Sequence, residues 1–95
     1  MGNYKLTQKA EEDLIRIHQW GVENHGEVRA DKYYNAFFKR FEELADNPFL
    51  YNSVDEIREG YHRSVCGSDS IYYRIVHEGV EIIRVLGQQD IEEWL

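Results

Sequence analysis

Apolar positions in the first half of the chain repeat at helical spacing. One stripe predicts a helix that begins after Thr7, a suitable N-cap, and it consists of Ala10, Leu14, Ile17, Gly21 and Val22. Asn24-His25-Gly26 predicts the end of this helix, because glycine adopts a left-handed conformation without a steric penalty. Tyr4-Lys5-Leu6, ahead of the helix, reads as a short opening strand.

A second stripe predicts a helix from about Val28 to Ala45, and it consists of Ala30, Tyr34, Phe37, Phe41 and Leu44. Asp46-Asn47-Pro48 ends it, since proline disfavours helical geometry at the residue before it. Two amphipathic helices joined by a short loop are expected to fold back as an antiparallel hairpin.

Beyond Pro48 the pattern changes to that of strands, after an irregular stretch with a turn of helix around Val54–Arg58. β-branched and aromatic residues predict three strands, at Tyr61–Cys66, Ile71–His77 and Val80–Leu86. Two-residue loops at Gly67-Ser68 and Glu78-Gly79 would join them into an antiparallel meander. The sequence therefore predicts one α+β domain over residues 1–95: an N-terminal strand added to the sheet, a helix hairpin, and a three-stranded meander.

These loops define which residues share a sheet face. The face predicted to cover the helices carries His62, Ser64, Cys66, Ile71, Tyr73, Ile75, Val80, Ile82, Arg84 and Leu86. The opposite face carries Tyr61, Arg63, Val65, Tyr72, Arg74, Val76, Glu81, Ile83 and Val85. A one-residue bulge would exchange the faces of everything beyond it.

The second face gathers Tyr61, Arg63, Tyr72 and Arg74, for which three interpretations stay open. Arg74 can pair with Glu81 while the tyrosines fill a half-buried surface, or the cluster can bind a protein or stack on a nucleic acid. This register also points Arg84 at the core. A buried arginine needs a partner, and both Asp90 and Asp13 are candidates.

Charge and composition restrict the classes of function. The net charge of −7 argues against general or sequence-specific nucleic-acid binding. No segment is apolar enough to span a membrane, and the first residues lack the apolar run of a signal peptide, so we expect a cytoplasmic protein. The single Cys66 excludes an internal disulfide and reads as a buried strand residue. The four histidines show no metal-ligand spacing, so neither a metal nor a cofactor is expected.

The order of several landmarks resembles the ParE-type toxins of the RelE/ParE superfamily. The likeness runs through Tyr4-Lys5-Leu6-Thr7, Asp13-Leu14, Leu44-Ala45, Asn47-Pro48, Glu59-Gly60-Tyr61, Ile71-Tyr72-Tyr73-Arg74, Ile82-Ile83-Arg84-Val85-Leu86 and Asp90-Ile91. It implies a helix hairpin against an antiparallel sheet. It also implies a bacterial toxin that a ParD-like antitoxin neutralises by direct binding, in a hetero-oligomer.

Members of this superfamily act in two ways, as DNA gyrase inhibitors or as ribosome-dependent mRNA endonucleases of the RelE type. Nuclease relatives place His or Tyr just beyond the last strand, where this chain has Gly87. Arg63, Tyr72 and Arg74 can bind phosphate, but no acid–base pair accompanies them. The resemblance therefore favours gyrase inhibition without catalysis. A detoxified antitoxin-binding module is the third reading, because Asp69 and Gly87 stand where relatives often carry His.

Candidate binding residues follow from this resemblance. Aromatic side chains outside the apolar stripes are candidate antitoxin anchors, although they can equally close the core: Trp20, Tyr33, Phe38 and Trp94. The candidates for toxicity or gyrase contact lie on the strands and in the loop before them: Arg58, Tyr61, Arg63, Tyr72, Arg74 and Arg84.

Overall fold

A computed structural model describes residues 2–87 and confirms the α+β architecture. The elements follow the predicted order: β1 (Asn3–Leu6), α1 (Gln8–His25), α2 (Glu27–Asp46), β2 (Tyr61–Cys66), β3 (Asp69–Val76) and β4 (Gly79–Gly87). The sheet order is β1-β4-β3-β2, with β1 parallel to β4 and the other neighbours antiparallel. The opening strand thus joins the sheet as predicted.

Thr7 and Gly26 set the limits of α1, as the sequence predicted. The Thr7 hydroxyl accepts a hydrogen bond from the backbone N–H of Ala10 at 3.1 Å and donates to the carbonyl of Ile83 at 2.8 Å. The N-cap therefore also ties the helix to β4. Gly26, at φ +85°, is the only residue between α1 and α2. So short a connection forces the two helices into an antiparallel hairpin.

The β2–β3 register matches the prediction, whereas the turn between β3 and β4 differs by one residue. Tyr61 pairs with Arg74 across the Gly67-Ser68 turn. The second turn is His77-Glu78, not Glu78-Gly79, so Gly79 begins β4 opposite Val76. The close approach of β1 explains the difference, because a Cβ on Gly79 would lie 1.8 Å from the carbonyl oxygen of Asn3. This strand position accepts only glycine.

A bulge at Ile83 exchanges the predicted faces of the residues that follow it. Pairing passes from Tyr73–Ile82 to Tyr72–Arg84, which leaves Ile83 unpaired in the ladder. Val85 consequently joins the helix-side core and Leu86 the opposite face, so the prediction for both was wrong. Two hydrogen bonds from α1 and its N-cap stabilise the bulge. The Thr7 hydroxyl donates to the carbonyl of Ile83, and the Asp13 carboxylate accepts a hydrogen bond from the N–H of Val85 at 3.0 Å.

Both faces of the sheet carry buried side chains. The main core lies between the helices and the sheet and includes Leu14, Ile17, Phe37, Phe41, Leu44, Ile71, Tyr73, Val80, Ile82 and Val85. On the far face, Val54, Tyr72 and Leu86 form a second buried cluster, against which Ile57 and Tyr61 pack. The segment before β2 supplies Val54, because Ser53 pairs with His62 at the sheet edge. Within residues 2–87, neither helix has the length and apolarity needed to cross a bilayer.

Removal of the Asp13 carboxylate should destabilise the fold. It accepts hydrogen bonds from Nε and Nη2 of Arg84 at 2.8 and 3.0 Å, and from Val85, while the residue is only 4% exposed. Asp13→Ala leaves these donors without their acceptor, and we expect a loss of about 3 kcal/mol in the free energy of unfolding, measured by urea denaturation. The exposed neighbour Glu12→Ala should change it by less than about 0.5 kcal/mol. Equal effects of the two substitutions would contradict this assignment.

Candidate functional site

A groove of about 580 Å³ opens where the helix hairpin meets the β2–β3 turn. The helices contribute Arg16, Ile17, Trp20, His25, Arg29 and Tyr33 to its walls, and the sheet contributes Gly67, Asp69 and Gly87. We call this feature the hairpin groove. Its floor is formed partly by Gly21 and Ala30, where α1 and α2 approach so closely that a Cβ on Gly21 would lie 3.2 Å from the Cβ of Ala30.

Of the three candidate anchors that the structure describes, Trp20 is the most accessible. The residue is 59% exposed, although its ring packs edge-on against the ring of His25 at a centroid distance of 5.4 Å. A large aromatic surface left in water at the mouth of a groove is typical of a residue that a partner covers.

Tyr33 shapes the sheet side of the groove. Its hydroxyl shares its proton between the Cys66 carbonyl at 2.8 Å and Asp69 Oδ2 at 2.7 Å, and it accepts the N–H of Ser68 at 3.1 Å. Burial, reinforced by the Asp69 carboxylate, raises the pKa of the Tyr33 phenol well above its ordinary value. Gly67 sits directly beneath this ring at φ +62°, and a Cβ there would come within 2.5 Å of it. The β2–β3 turn is therefore held by one side chain of α2.

Asp69 and Gly87, the two positions at which the resemblance led us to expect histidine, are direct pairing partners across β3 and β4. Both line the hairpin groove. Sequence reasoning named the two positions but did not pair them, because the predicted third strand began at Ile71 and the predicted fourth strand ended at Leu86. The Asp69 carboxylate is occupied by Tyr33, so it acts here as a structural acceptor.

Phe38 does not line this groove. The Phe38 ring is partly buried and packs against Tyr34 and Phe41, at centroid distances of 5.0 and 5.4 Å. Trp94 lies outside residues 2–87. The structure thus brings together two of the four candidate antitoxin anchors, Trp20 and Tyr33.

The far sheet face carries the other candidate cluster. Tyr72 is only 2% exposed and belongs to the second buried cluster. It is therefore less accessible than the sequence predicted, since a half-exposed position was expected. Arg74 lies opposite Glu81 and donates to its Oε1 from Nε at 2.6 Å, as one interpretation predicted. Tyr61 is half-buried, and Arg63 is exposed. The exposed Arg58 lies in the turn before β2.

The surroundings of Arg84 and of Cys66 indicate structural roles for both residues. Arg84 contacts both carboxylate oxygens of Asp13, one of its two predicted partners; the other, Asp90, lies outside the described residues. Cys66 is buried as predicted, and burial raises the pKa of its thiol, which lowers its reactivity at neutral pH. No three His, Cys, Asp or Glu side chains of the described chain lie close enough together to hold a metal ion.

Sequence reasoning missed the two arginines of the hairpin groove, Arg16 and Arg29. They lie on opposite helices, 13 positions apart, so only the hairpin geometry shows that they line one groove. The signal available in the sequence was their place off the apolar stripes of the two helices.

Comparison with known proteins gives one consistent family. The family model described as ParE toxin of type II toxin-antitoxin system, parDE, matches residues 4–92. Toxin ParE1 of Mycobacterium tuberculosis is 31% identical over 87 residues, which cover 90% of this chain and 89% of the relative. Toxin ParE1 of Caulobacter vibrioides is 34% identical over 88 residues, which cover 93% and 91%.

A solved structure shares the fold. It is described as "Chromosomal ParDE TA system from P. aeruginosa", has a TM-score of 0.79 and 20% sequence identity, and aligns over 92% of this chain and 96% of that chain. At this identity the likeness concerns the arrangement of helices and strands, which agrees with the strand–hairpin–meander order described above.

Tyr33→Phe should loosen the β2–β3 turn. We expect a loss of about 1 kcal/mol in the free energy of unfolding at neutral pH, because the Ser68 N–H and the Asp69 carboxylate lose their partner. The raised pKa of Tyr33 means that its stabilising contribution is complete below about pH 10 and is lost as the pH rises toward the folded-state value. The free energy of unfolding, measured by denaturation at several pH values from 7 to 11, should therefore fall less steeply with pH for the variant than for wild type. A steeper fall would contradict this role.

Trp20→Ala and Phe38→Ala should separate a surface aromatic from a core aromatic. The free energy of unfolding should change by less than about 0.5 kcal/mol for Trp20→Ala, because that residue is largely exposed. It should fall by about 2 kcal/mol for Phe38→Ala, which removes a ring packed between two others. Thermal or urea unfolding followed by circular dichroism gives both values. A larger loss of stability for Trp20→Ala than for Phe38→Ala would show that Trp20 packs in the core.

Proposed function

Because the chain belongs to the ParE toxin family of type II toxin–antitoxin systems, we propose that it inhibits DNA gyrase and that a ParD-like antitoxin neutralises it by direct binding. The family match over residues 4–92 carries this proposal, since it spans the helix hairpin and the whole sheet. The solved structure of similar fold is described as a ParDE system, which supports an antitoxin as the partner.

The toxin acts by binding and carries out no catalysis of its own. Ribonucleolytic cleavage needs a proton acceptor, a proton donor and cations on the phosphate. Two tyrosines of the sheet are unsuited to proton transfer, because burial raises the pKa of Tyr73 to about 12 and Tyr72 lies in a buried cluster with Val54 and Leu86. Arg74 is neutralised by its ion pair with Glu81 at 2.6 Å.

Gyrase contact is assigned to the region of Arg58, Tyr61 and Arg63. Arg58 and Arg63 are exposed, and Tyr61 is half-buried over the second buried cluster, so the three present a cationic and aromatic surface. None of them lines the hairpin groove. The two candidate antitoxin anchors in that groove, Trp20 and Tyr33, are therefore separate from these candidate gyrase contacts. Arg84 contributes indirectly, since its pairing with Asp13 fixes the last strand.

Gyrase inhibition can be tested with purified components. Addition of the folded chain should block supercoiling of relaxed plasmid by gyrase, and equimolar ParD-type antitoxin should restore it. Arg63→Ala should raise the concentration needed for half-inhibition by about tenfold, because exposed arginines at interfaces often dominate binding. The exposed Lys39→Ala on α2 is the matched control and should leave it unchanged.

Three outcomes separate this proposal from its alternatives. Undiminished supercoiling with folded protein would contradict gyrase inhibition. Cleavage of ribosome-bound transcripts at defined codons after induction would identify a RelE-type endonuclease. Normal growth on induction, together with a stable antitoxin complex, would identify a detoxified binding module.

A further inference from the structure

A turn that follows α2 exposes two neighbouring apolar side chains. Phe49 is 78% exposed and Leu50 is 66% exposed, and no other two consecutive residues of the described chain leave large apolar side chains this open to water. A hydrogen bond from the N–H of Leu50 to the carbonyl of Asn47 at 3.1 Å closes the turn, with Pro48 inside it. We call residues 47–52 the Phe49 loop. Single apolar side chains are ordinary at a surface, whereas an adjacent pair begins a patch of the kind that partners cover.

The backbone on both sides of this pair is tied to the sheet. Before it, the hydroxyl of Tyr73 donates to the carbonyl of Pro48 at 2.9 Å. After it, Nδ1 of His62 lies 3.0 Å from the carbonyl oxygen of Tyr51, and since that oxygen can only accept, the ring nitrogen donates. The two anchoring rings, of Tyr73 and His62, stack on each other at a centroid distance of 5.3 Å. The loop is therefore held in one position by side chains that are themselves packed.

The end of the Phe49 loop is anchored as well. The guanidinium carbon of Arg40 lies 5.6 Å from the centroid of the Tyr51 ring, and Arg40 Nη1 donates to Ser64 Oγ at 2.7 Å. The carbonyl of Asn52 accepts a hydrogen bond from the N–H of Arg63 at 3.3 Å. A loop that is fixed before binding loses little conformational freedom in a complex, which favours affinity. The anchoring therefore suits the exposed pair to recognition.

The Phe49 loop is continuous with the surface proposed to contact gyrase. A cavity of about 430 Å³ lies between the loop and β2, and its walls include Tyr51, Ser53, Arg63 and Val65. Val65 is 59% exposed and adds a third apolar side chain. Arg63 is one of the candidate gyrase contacts, and neither it nor any residue of the loop lines the hairpin groove. The loop and β2 thus place apolar side chains beside a cation, apart from the candidate antitoxin anchors.

The size and charge of this patch favour a different protein over a second copy of the chain. Phe49 and Leu50 offer on the order of 300 Å² of apolar surface, so two copies that met through them would bury about twice that area. Stable interfaces bury roughly 1,200 Å² or more. A symmetric dimer that used the wider surface would bring Arg63 to the interface from both copies, each with a net charge of −7. A larger partner that also covers Arg63 and Val65 meets neither difficulty.

We propose that Phe49 and Leu50 are the apolar centre of the gyrase-binding surface, and that they insert into an apolar pocket of gyrase while Arg63 pairs with a carboxylate beside it. This inference rests on the proposed function, from which it takes the identity of the target. A few large, desolvated side chains at the centre of an interface supply most of its binding energy, and charges at the rim supply less. Loss of the Phe49 ring should therefore weaken inhibition more than loss of Arg63.

Serine substitutions test the contact in the supercoiling assay with purified gyrase. Phe49→Ser should raise the concentration for half-inhibition by about thirtyfold and Leu50→Ser by about tenfold, because each removes an apolar anchor. Val28→Ser is the matched control, since Val28 is 70% exposed but lies at the opposite end of α2 from the loop, and it should change this concentration by less than about twofold. All three side chains are exposed, so urea unfolding followed by circular dichroism should show that each variant keeps its fold.

A variant that keeps both apolar side chains tests the anchoring. Tyr73→Phe removes only the hydroxyl that holds the Pro48 carbonyl, so we expect faster cleavage by chymotrypsin after Phe49 and a rise of about fourfold in the concentration for half-inhibition. Tyr34→Phe is the matched control, because the Tyr34 ring packs against Phe38 on α2, and it should change neither value. Unchanged cleavage, or unchanged inhibition despite faster cleavage, would overturn the role given to the anchoring.

The outcomes distinguish this inference from the proposed function. If wild type blocks supercoiling and both serine variants at Phe49 and Leu50 do so equally well, the loop assignment is overturned and gyrase inhibition stands. An equal loss in Val28→Ser would also overturn it, since any exposed apolar side chain would then have the same effect. Calorimetric titration with ParD-type antitoxin should give the same Kd for wild type and the serine variants, and a parallel loss would assign the loop to the antitoxin instead. A wild-type dimer that dissociates in Phe49→Ser would assign it to a second copy. Undiminished supercoiling with folded wild type contradicts the proposed function itself.

Discussion

The carboxylate of Asp13 is the contact on which the rest of this molecule depends. It lies on α1 and takes the guanidinium of Arg84 and the backbone N–H of Val85, so a single buried group joins the helix hairpin to the last strand. The bulge at Ile83 removes backbone groups from the ladder, and contacts from α1 satisfy them. Without this joint, the end of β4 would not be held beside the helices, where it completes the hairpin groove.

A second polar joint holds the opposite wall of that groove. Tyr33 reaches from α2 to the turn between β2 and β3, and Gly67 leaves space for its ring. Two side chains that cross from helix to sheet, Asp13 and Tyr33, therefore hold strand ends that line the groove. Its two arginines, Arg16 and Arg29, and its tryptophan, Trp20, are exposed.

Much of the fold could be predicted from local signals. Helical periodicity, Thr7 as a cap and Gly26 as a stop are local, and they predicted both helices to within a residue or two. The bulge at Ile83 could not be predicted, because it depends on Asp13, which is 72 residues from Val85 in the chain. The same limit applied to the candidate site. Trp20 and Phe38 look alike as aromatics off the apolar stripes, and only tertiary packing shows that one is exposed and the other held between rings.

Amide hydrogen exchange of the toxin, alone and with its antitoxin, tests the central claim most directly. The account predicts added protection in the second half of α1, the first half of α2 and the turn at Gly67, with little change at Arg63 and its neighbours in β2. Protection confined to the far sheet face around Tyr61 and Arg63, with the groove still exchanging as in the free toxin, would contradict it.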